Sequence, residues 1–267
     1  MLTTNNKYVM LSFDTEEFDI PREQGRIIPL DEKIRVSAEG TNRILDILKE
    51  TNVRATFFCT TTLLLHAPQL GKRIIDEGHE MASHGCDHAD PKPEHVIESK
   101  QILEQQFGVQ IHGYRQPRMF AVDNRMLAKE GYRYNSSFNP AFIPGRYMHL
   151  NVSRTPFLQD GLLQIPASVT PCLRIPLFWL SAHHLPMGVY ERLVRRTLRH
   201  DGYFNTYFHP WEFVSIYHVP EYGVPYIIGH NTGEPMQKRL QHLIQMLKAE
   251  NGVFITYNEF AKNYIEK

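Results

Sequence analysis

Short apolar runs alternate with segments whose apolar residues recur at helical spacing, and the alternation continues along almost the whole chain. Residues 8–13, Tyr-Val-Met-Leu-Ser-Phe, predict a buried strand. Residues 37–51 carry Ile44, Leu45, Ile47 and Leu48 on one side, the pattern of a core-facing helix. A strand follows at 55–59, a helix at 67–77 closed by Gly78, and a strand at 78–82. The cycle repeats with a helix at 93–107 ended by Gly108, a strand at 109–114, a helix from the cap Asp123 to Lys129, and a weaker strand at 132–134. Further strands are predicted at 161–166, 203–208 and 253–257, and helices at 189–199 and from Glu234 onward. Proline-rich and tyrosine-rich stretches at 138–160, 170–186 and 215–233 read as loops. Strand alternating with helix means a parallel sheet, and seven or eight strands favour a barrel over an open sheet. No composition shift or repeat divides the chain, so a single domain over 1–267 is expected.

The ends of the predicted strands are where polar residues collect. Asp14-Thr15-Glu16-Glu17 follows the first strand directly, and extended geometry points Asp14 and Glu16 to the same side. His84 and His88 follow the third strand, and four-residue spacing places both imidazoles on one face if the segment forms a helical turn. With 14 histidines in the chain, such a pair also arises by chance. Arg115 ends the fourth strand, and His209 ends the strand at 203–208. In a parallel barrel all these ends open onto one face, so residues scattered over the chain meet in one cleft. Two imidazoles and a carboxylate form a divalent-metal site of the zinc-hydrolase type, though non-haem iron uses the same ligand types. One carboxylate would then bind the metal while the other acts as base. A separate imidazole can serve as acid, and Arg115 can pair with the base and lower its pKa. Trp179, Trp211, Tyr217 and Tyr222 offer a sugar-stacking platform, but burial is the commoner use of such rings.

Composition narrows the partners. The chain is 42% hydrophobic and 22% charged with a formal net charge of +0, enough apolar residues for a core and no basic stripe for nucleic acid. No apolar run is long enough to span a bilayer, and the first ten residues lack the pattern of a signal peptide. The expectation is a soluble cytoplasmic protein. Cys59, Cys86 and Cys172 are scattered without a Cys-x-x-Cys spacing, which predicts neither a disulfide framework nor a cysteine zinc site. Nothing in the pattern fixes an oligomeric state.

Five segments in order, Ser12-Phe13-Asp14-Thr15-Glu16, Ala55-Thr56-Phe57-Phe58, the run from Gly78 to His88, Tyr114-Arg115-Gln116-Pro117 and His209-Pro210-Trp211-Glu212, resemble the motifs of the polysaccharide deacetylase family. The likeness runs from about Tyr8 to the last strand, and is that of a branch with an Asp-x-Glu first motif. It implies a distorted (β/α)7-type barrel, mostly parallel, that removes the acetyl group from an N-acetylated sugar. It assigns Asp14 as general base and Arg115 as the group orienting it. His209 would be the general acid, Glu16, His84 and His88 the ligands of a divalent metal, with zinc first and cobalt or nickel as alternatives. The metal and a backbone N–H near Arg118 would stabilise the oxyanion. Thr15 stands where the commonest family pattern has a second Asp, so Glu16 as ligand rests on the branch and on same-side geometry, with Asp14 as the alternative ligand. Arg118 stands where many relatives carry an aromatic residue, which suggests an acidic or phosphate-bearing sugar. Two other functions remain open: an allantoinase-like hydrolase of cyclic amides or ureides on the same fold, and a catalytically silent carbohydrate-binding relative.

Overall fold

In the computed structural model, which describes residues 6–143, 147–148 and 150–266, the first apolar run becomes β1 (Lys7–Thr15), buried from Tyr8 to its end. The chain continues through α1 (Ile20–Glu23), α2 (Leu30–Glu50), β2 (Thr56–Cys59), α3 (Thr61–His66), α4 (Pro68–Asp76) and β3 (Glu80–Ser83). Next come α5 (His95–Phe107), β4 (Gly113–Tyr114), α6 (Asn124–Lys129), β5 (Tyr134–Asn135) and a small hairpin of β6 (Phe142–Ile143) and β7 (Tyr147–Met148). The last part holds β8 (Phe157–Gln159), β9 (Leu162–Gln164), α7 (Trp179–His184), α8 (Met187–Asp201), β10 (Tyr203–Phe208), α9 (Tyr226–Gly229), α10 (Glu234–Ala249), β11 (Gly252–Phe254) and α11 (Tyr257–Ile265).

The sheet runs β10-β1-β2-β3-β4-β5-β9-β8, parallel throughout except for the antiparallel β8–β9 pair. Seven parallel strands therefore curl around the core, as the strand count predicts. The open side between β9 and β10 is bridged by the chain after β9. There Ser168 N donates to the Asn205 carbonyl at 3.3 Å, and the Asn205 amide donates to the Pro166 carbonyl at 2.9 Å. β11 lies beside the first residues of β1, on the edge where β2 has not yet begun.

Several expectations shift in detail. α2 begins at Leu30 rather than 37, because Ile34 and Val36 are buried and extend the apolar face toward its start. β4 keeps only two residues of the predicted six: Ile111 N turns to the Glu104 carboxylate instead of a neighbouring strand. At Gly113 a Cβ would lie 2.0 Å from the Tyr134 ring, so glycine is what lets that ring cross the barrel. Within the predicted loop 138–160, of which 144–146 and 149 lie outside the described residues, β8 forms a hairpin with β9. Its turn is Asp160-Gly161, with φ of 52° and 78°, the left-handed pair a two-residue hairpin requires. The predicted loop 170–186 holds α7, anchored by the buried Trp179 and His183. Among the described residues no helix is long and apolar enough to cross a membrane, and the three cysteines are free.

Candidate active site

Strand register builds the site. Ser12 pairs with Thr56 and Tyr207, and Phe13 with Phe208, so Asp14 and His209 leave neighbouring strands at one level. Thr15 pairs with Cys59, Cys59 with Ser83 and Ser83 with Tyr114, which brings His84 and Arg115 level with Glu16, two residues beyond Asp14. All six residues singled out from the sequence lie at this end of the barrel, and five of them, Asp14, Glu16, His84, His88 and His209, line one cleft of about 810 Å³. Arg115 lies behind its wall, fully buried.

The expectation of a helical turn between the two histidines is corrected. Residues 84–88 form an irregular loop, and Gly85, with φ of 75°, reverses the chain in a conformation that a side chain would strain. The loop still brings the rings together, stacked with centroids 6.0 Å apart. His84 Nε2 lies 3.0 Å and His88 Nε2 3.2 Å from the same oxygen, Glu16 Oε2. The Nδ1 of His84 is 2.7 Å from the Arg115 carbonyl, which can only accept, so that nitrogen carries the hydrogen. In the neutral ring the lone pair of Nε2 then faces a carboxylate oxygen. Burial pushes the Glu16 carboxyl up to about 7, against the pull of His88 and His209, and burial also holds the His84 imidazole below its ordinary value. A carboxylate oxygen facing the lone pair of a neutral ring nitrogen in a buried site needs a positive centre between them, a proton on the raised Glu16 carboxyl or a metal ion in its place. Glu16, His84 and His88 thus fit a divalent metal, with one ligand atom of each within 4.8 Å of the others. Asp19, 3.7 Å from His88 Nδ1 and held by Lys33 at 2.7 Å, stands behind the second imidazole as an outer partner.

Asp14 is held differently. Arg115 Nη1 donates to Asp14 Oδ1 and also to Ser12 Oγ at 3.1 Å. The rest of the guanidinium donates to the Ser136 carbonyl and hydroxyl and to Tyr257 Oη, over the face of Phe58 at 4.0 Å. Burial raises the Asp14 carboxyl, but Arg115, His84 and His209 outweigh it and keep it below the usual carboxylate value. Arg115 therefore clamps Asp14 with its side chain and orients His84 with its carbonyl.

Across the cleft, His209 stacks on Trp211 at 5.1 Å and meets Trp179 edge-on at 5.6 Å. Trp179 and Trp211 are largely buried but still line the cleft, whereas Tyr222 is buried away from it and Tyr217 is exposed outside it. Glu212 Oε1 accepts from the His209 backbone at 2.6 Å and faces its Nδ1 at 2.8 Å, leaving Nε2 for the cleft. Burial lowers the His209 imidazole, yet Glu212, Glu16 and Asp14 together raise it above the ordinary value. Glu212, Asp19 and Ser136 are functional partners that strand-end position alone does not reveal. The three-residue spacing of Glu212 from His209 was the available signal. At the cleft mouth Arg118 and Met119 both adopt positive φ (60° and 55°), and Arg118 pairs with Glu23 at 2.9 Å. Cys86 faces Glu98 at 3.9 Å, away from the three ligands.

Residues 2–134 match the family model described as polysaccharide deacetylase, a span that holds Asp14, Glu16, His84, His88 and Arg115. Peptidoglycan deacetylase of Helicobacter pylori is 22% identical over 251 residues, 85% of this chain and 84% of that protein. Other curated relatives match over some 50 residues, and the chain spans only about a tenth to a quarter of their length in these matches. The crystal structure of a putative polysaccharide deacetylase from Mycobacterium smegmatis superposes with a TM-score of 0.69 at 19% identity, covering 98% of this chain and 92% of that one. Puue allantoinase superposes with a TM-score of 0.68 at 15% identity, covering 96% and 89%. Motifs, matched span and barrel agree: the chain belongs to the polysaccharide deacetylase family.

Proposed function

We propose that the chain is a metal-dependent hydrolase that removes the N-acetyl group from an N-acetylated sugar in a polysaccharide, glycolipid or precursor. The observation that carries this reading is the meeting of three metal-type donors, a clamped carboxylate and a backed imidazole in one cleft. Glu16, His84 and His88 would hold the ion. When bound, a divalent metal, zinc first with cobalt or nickel as alternatives, polarises the acetyl carbonyl and acidifies water. Asp14 accepts the proton of the attacking water, and Arg115 keeps it ionised and fixed in rotamer. His209, protonated, gives its proton from Nε2 to the sugar nitrogen as the C–N bond breaks, releasing acetate and a free amine. The residue-118 segment lies on the cleft wall, where a backbone N–H would meet the oxyanion.

The test is to load the purified protein with zinc, cobalt or nickel and assay acetate release from N-acetylglucosamine oligosaccharides beside ring opening of a cyclic ureide. Acetate release supports the reading. Ring opening without acetate would replace it with the allantoinase-like function, whose barrel this chain shares. Failure of all three metals to bind would leave a carbohydrate-binding relative without turnover.

A further inference from the structure

Behind His209 lies a second imidazole that the reaction as written does not use. His183, on α7, is fully buried, with its Nε2 2.9 Å from Glu212 Oε2 and its Nδ1 2.7 Å from the His230 carbonyl. A carbonyl can only accept, so Nδ1 carries a hydrogen. Glu212 Oε1 accepts the His209 backbone N–H and faces its Nδ1, and the 2.9 Å contact of Oε2 with His183 Nε2 needs one proton between the two atoms. The two imidazoles outweigh burial and hold the Glu212 carboxyl below its ordinary value, which leaves that proton on the imidazole. Its Oε2 is then an acceptor too, and Nε2 of His183 must also carry a hydrogen. Both ring nitrogens of His183 are donors, which makes it an imidazolium.

We propose that His183 is a positioning residue for the proton donor: as a buried imidazolium it cancels the charge of Glu212 and so sets the acidity of His209. This rests on the reading of His209 as general acid. Unpaired, the Glu212 carboxylate would bind the His209 proton too tightly for prompt transfer to the leaving nitrogen. Paired with His183, it still fixes the His209 tautomer but acts with a smaller net charge. The other charged or titratable groups facing the two rings are Asp14, Glu16, His84 and Tyr207 on the cleft side, and His184, His230 and Arg239 behind.

The direct test is ¹⁵N-edited NMR of the imidazoles in the zinc-loaded protein near pH 7.5. Two slowly exchanging N–H protons on His183 are expected, and a single one would overturn the proposal. The kinetic test is His183→Gln, whose amide can still donate to Glu212 but carries no charge. The alkaline limb of kcat is expected to move up by about one pH unit, with a lower kcat, unchanged KM and unchanged metal content. A limb that stays in place while only the melting temperature drops would make His183 structural and overturn the proposal. If His183 shows two protons but His209→Gln keeps full kcat, the acid assignment itself fails, and with it the catalytic role of His183.

Discussion

Two buried carboxylates at this end of the barrel each meet two imidazoles, and the contacts are of opposite kinds. At Glu212 the imidazoles take separate oxygens and both act as donors, so the group is satisfied without help. At Glu16 both imidazoles converge on one oxygen, and the ring whose tautomer is fixed presents a lone pair. The outcome follows from the donor count. Neighbouring imidazoles hold the Glu212 carboxyl below its ordinary value, whereas burial wins at Glu16 and lifts its carboxyl to about 7. The same residue types thus build a closed hydrogen-bonded relay on one wall and a cation site on the other. The tie of the second ring nitrogen does not decide which one forms, since Nδ1 meets a carbonyl in both His84 and His183. The two walls differ in whether the imidazoles crowd one carboxylate oxygen or take one each.

The comparison breaks most sharply at Glu16. Glu16→Ala should abolish metal retention and lower kcat/KM by ~10³-fold or more, since a metal's transition-state stabilisation amounts to several kcal/mol. Elemental analysis after dialysis checks the first part, and added zinc should raise the melting temperature of wild type but not of the variant. Retained metal in Glu16→Ala would turn attention to Asp14 as the carboxylate ligand. Asp14→Asn sharpens the division of labour. It should keep the metal and lose about 10²–10⁴-fold in kcat, the range for a missing general base, as measured by acetate release.

Glu212→Gln probes the other wall and has a signed pH effect. His209 must be protonated to donate, and its pKa lies above the ordinary value, so activity persists to a higher pH than a free imidazole would allow. Removing the carboxylate lowers that pKa, and the His183 charge left unopposed lowers it further. The alkaline limb should therefore move to lower pH, with kcat at neutral pH down by about tenfold and metal content unchanged. A limb that does not move would separate Glu212 from the proton donor.

These contrasts were legible in the sequence only in part. The barrel was readable because β1, β2 and β10 are apolar runs whose partners bury them on both faces, and because helices α4, α5 and α8 are closed by glycine. Asp14, His84, Arg115 and His209 were readable for the same reason: each directly follows a strand or ends one. Partners supplied by distant loops were not. His183 sits on a six-residue helix inside a proline-rich stretch, and its contact with Glu212 crosses 29 positions. The geometry of residues 84–88 is likewise hidden, since four-residue spacing suggests a helix whereas Gly85 turns the chain in a loop that achieves the same convergence. The β8–β9 hairpin had its Asp160-Gly161 turn in plain view, but Leu158 at 63% exposure shows why the strand before it lacks a buried pattern.

The smallest expected effect concerns substrate charge. Glu23 pairs with Arg118 at the cleft mouth, where the two side chains are 30% and 32% exposed. An ion pair that open to solvent contributes ~0–1 kcal/mol, so a substrate carboxylate or phosphate can take the place of Glu23 at little cost. The gain for an anionic sugar is then the difference between two similar ion pairs rather than a full new one. Arg118→Ala should lower kcat/KM about fivefold on an anionic N-acetylated sugar and less than about twofold on a neutral one. Glu23→Gln should shift the same ratio the other way, because it frees the guanidinium for substrate. Parallel assays of both variants on one neutral and one anionic sugar measure this. Equal losses on both substrates in Arg118→Ala would mean that the residue holds the strained turn at 118–119 rather than reading substrate charge.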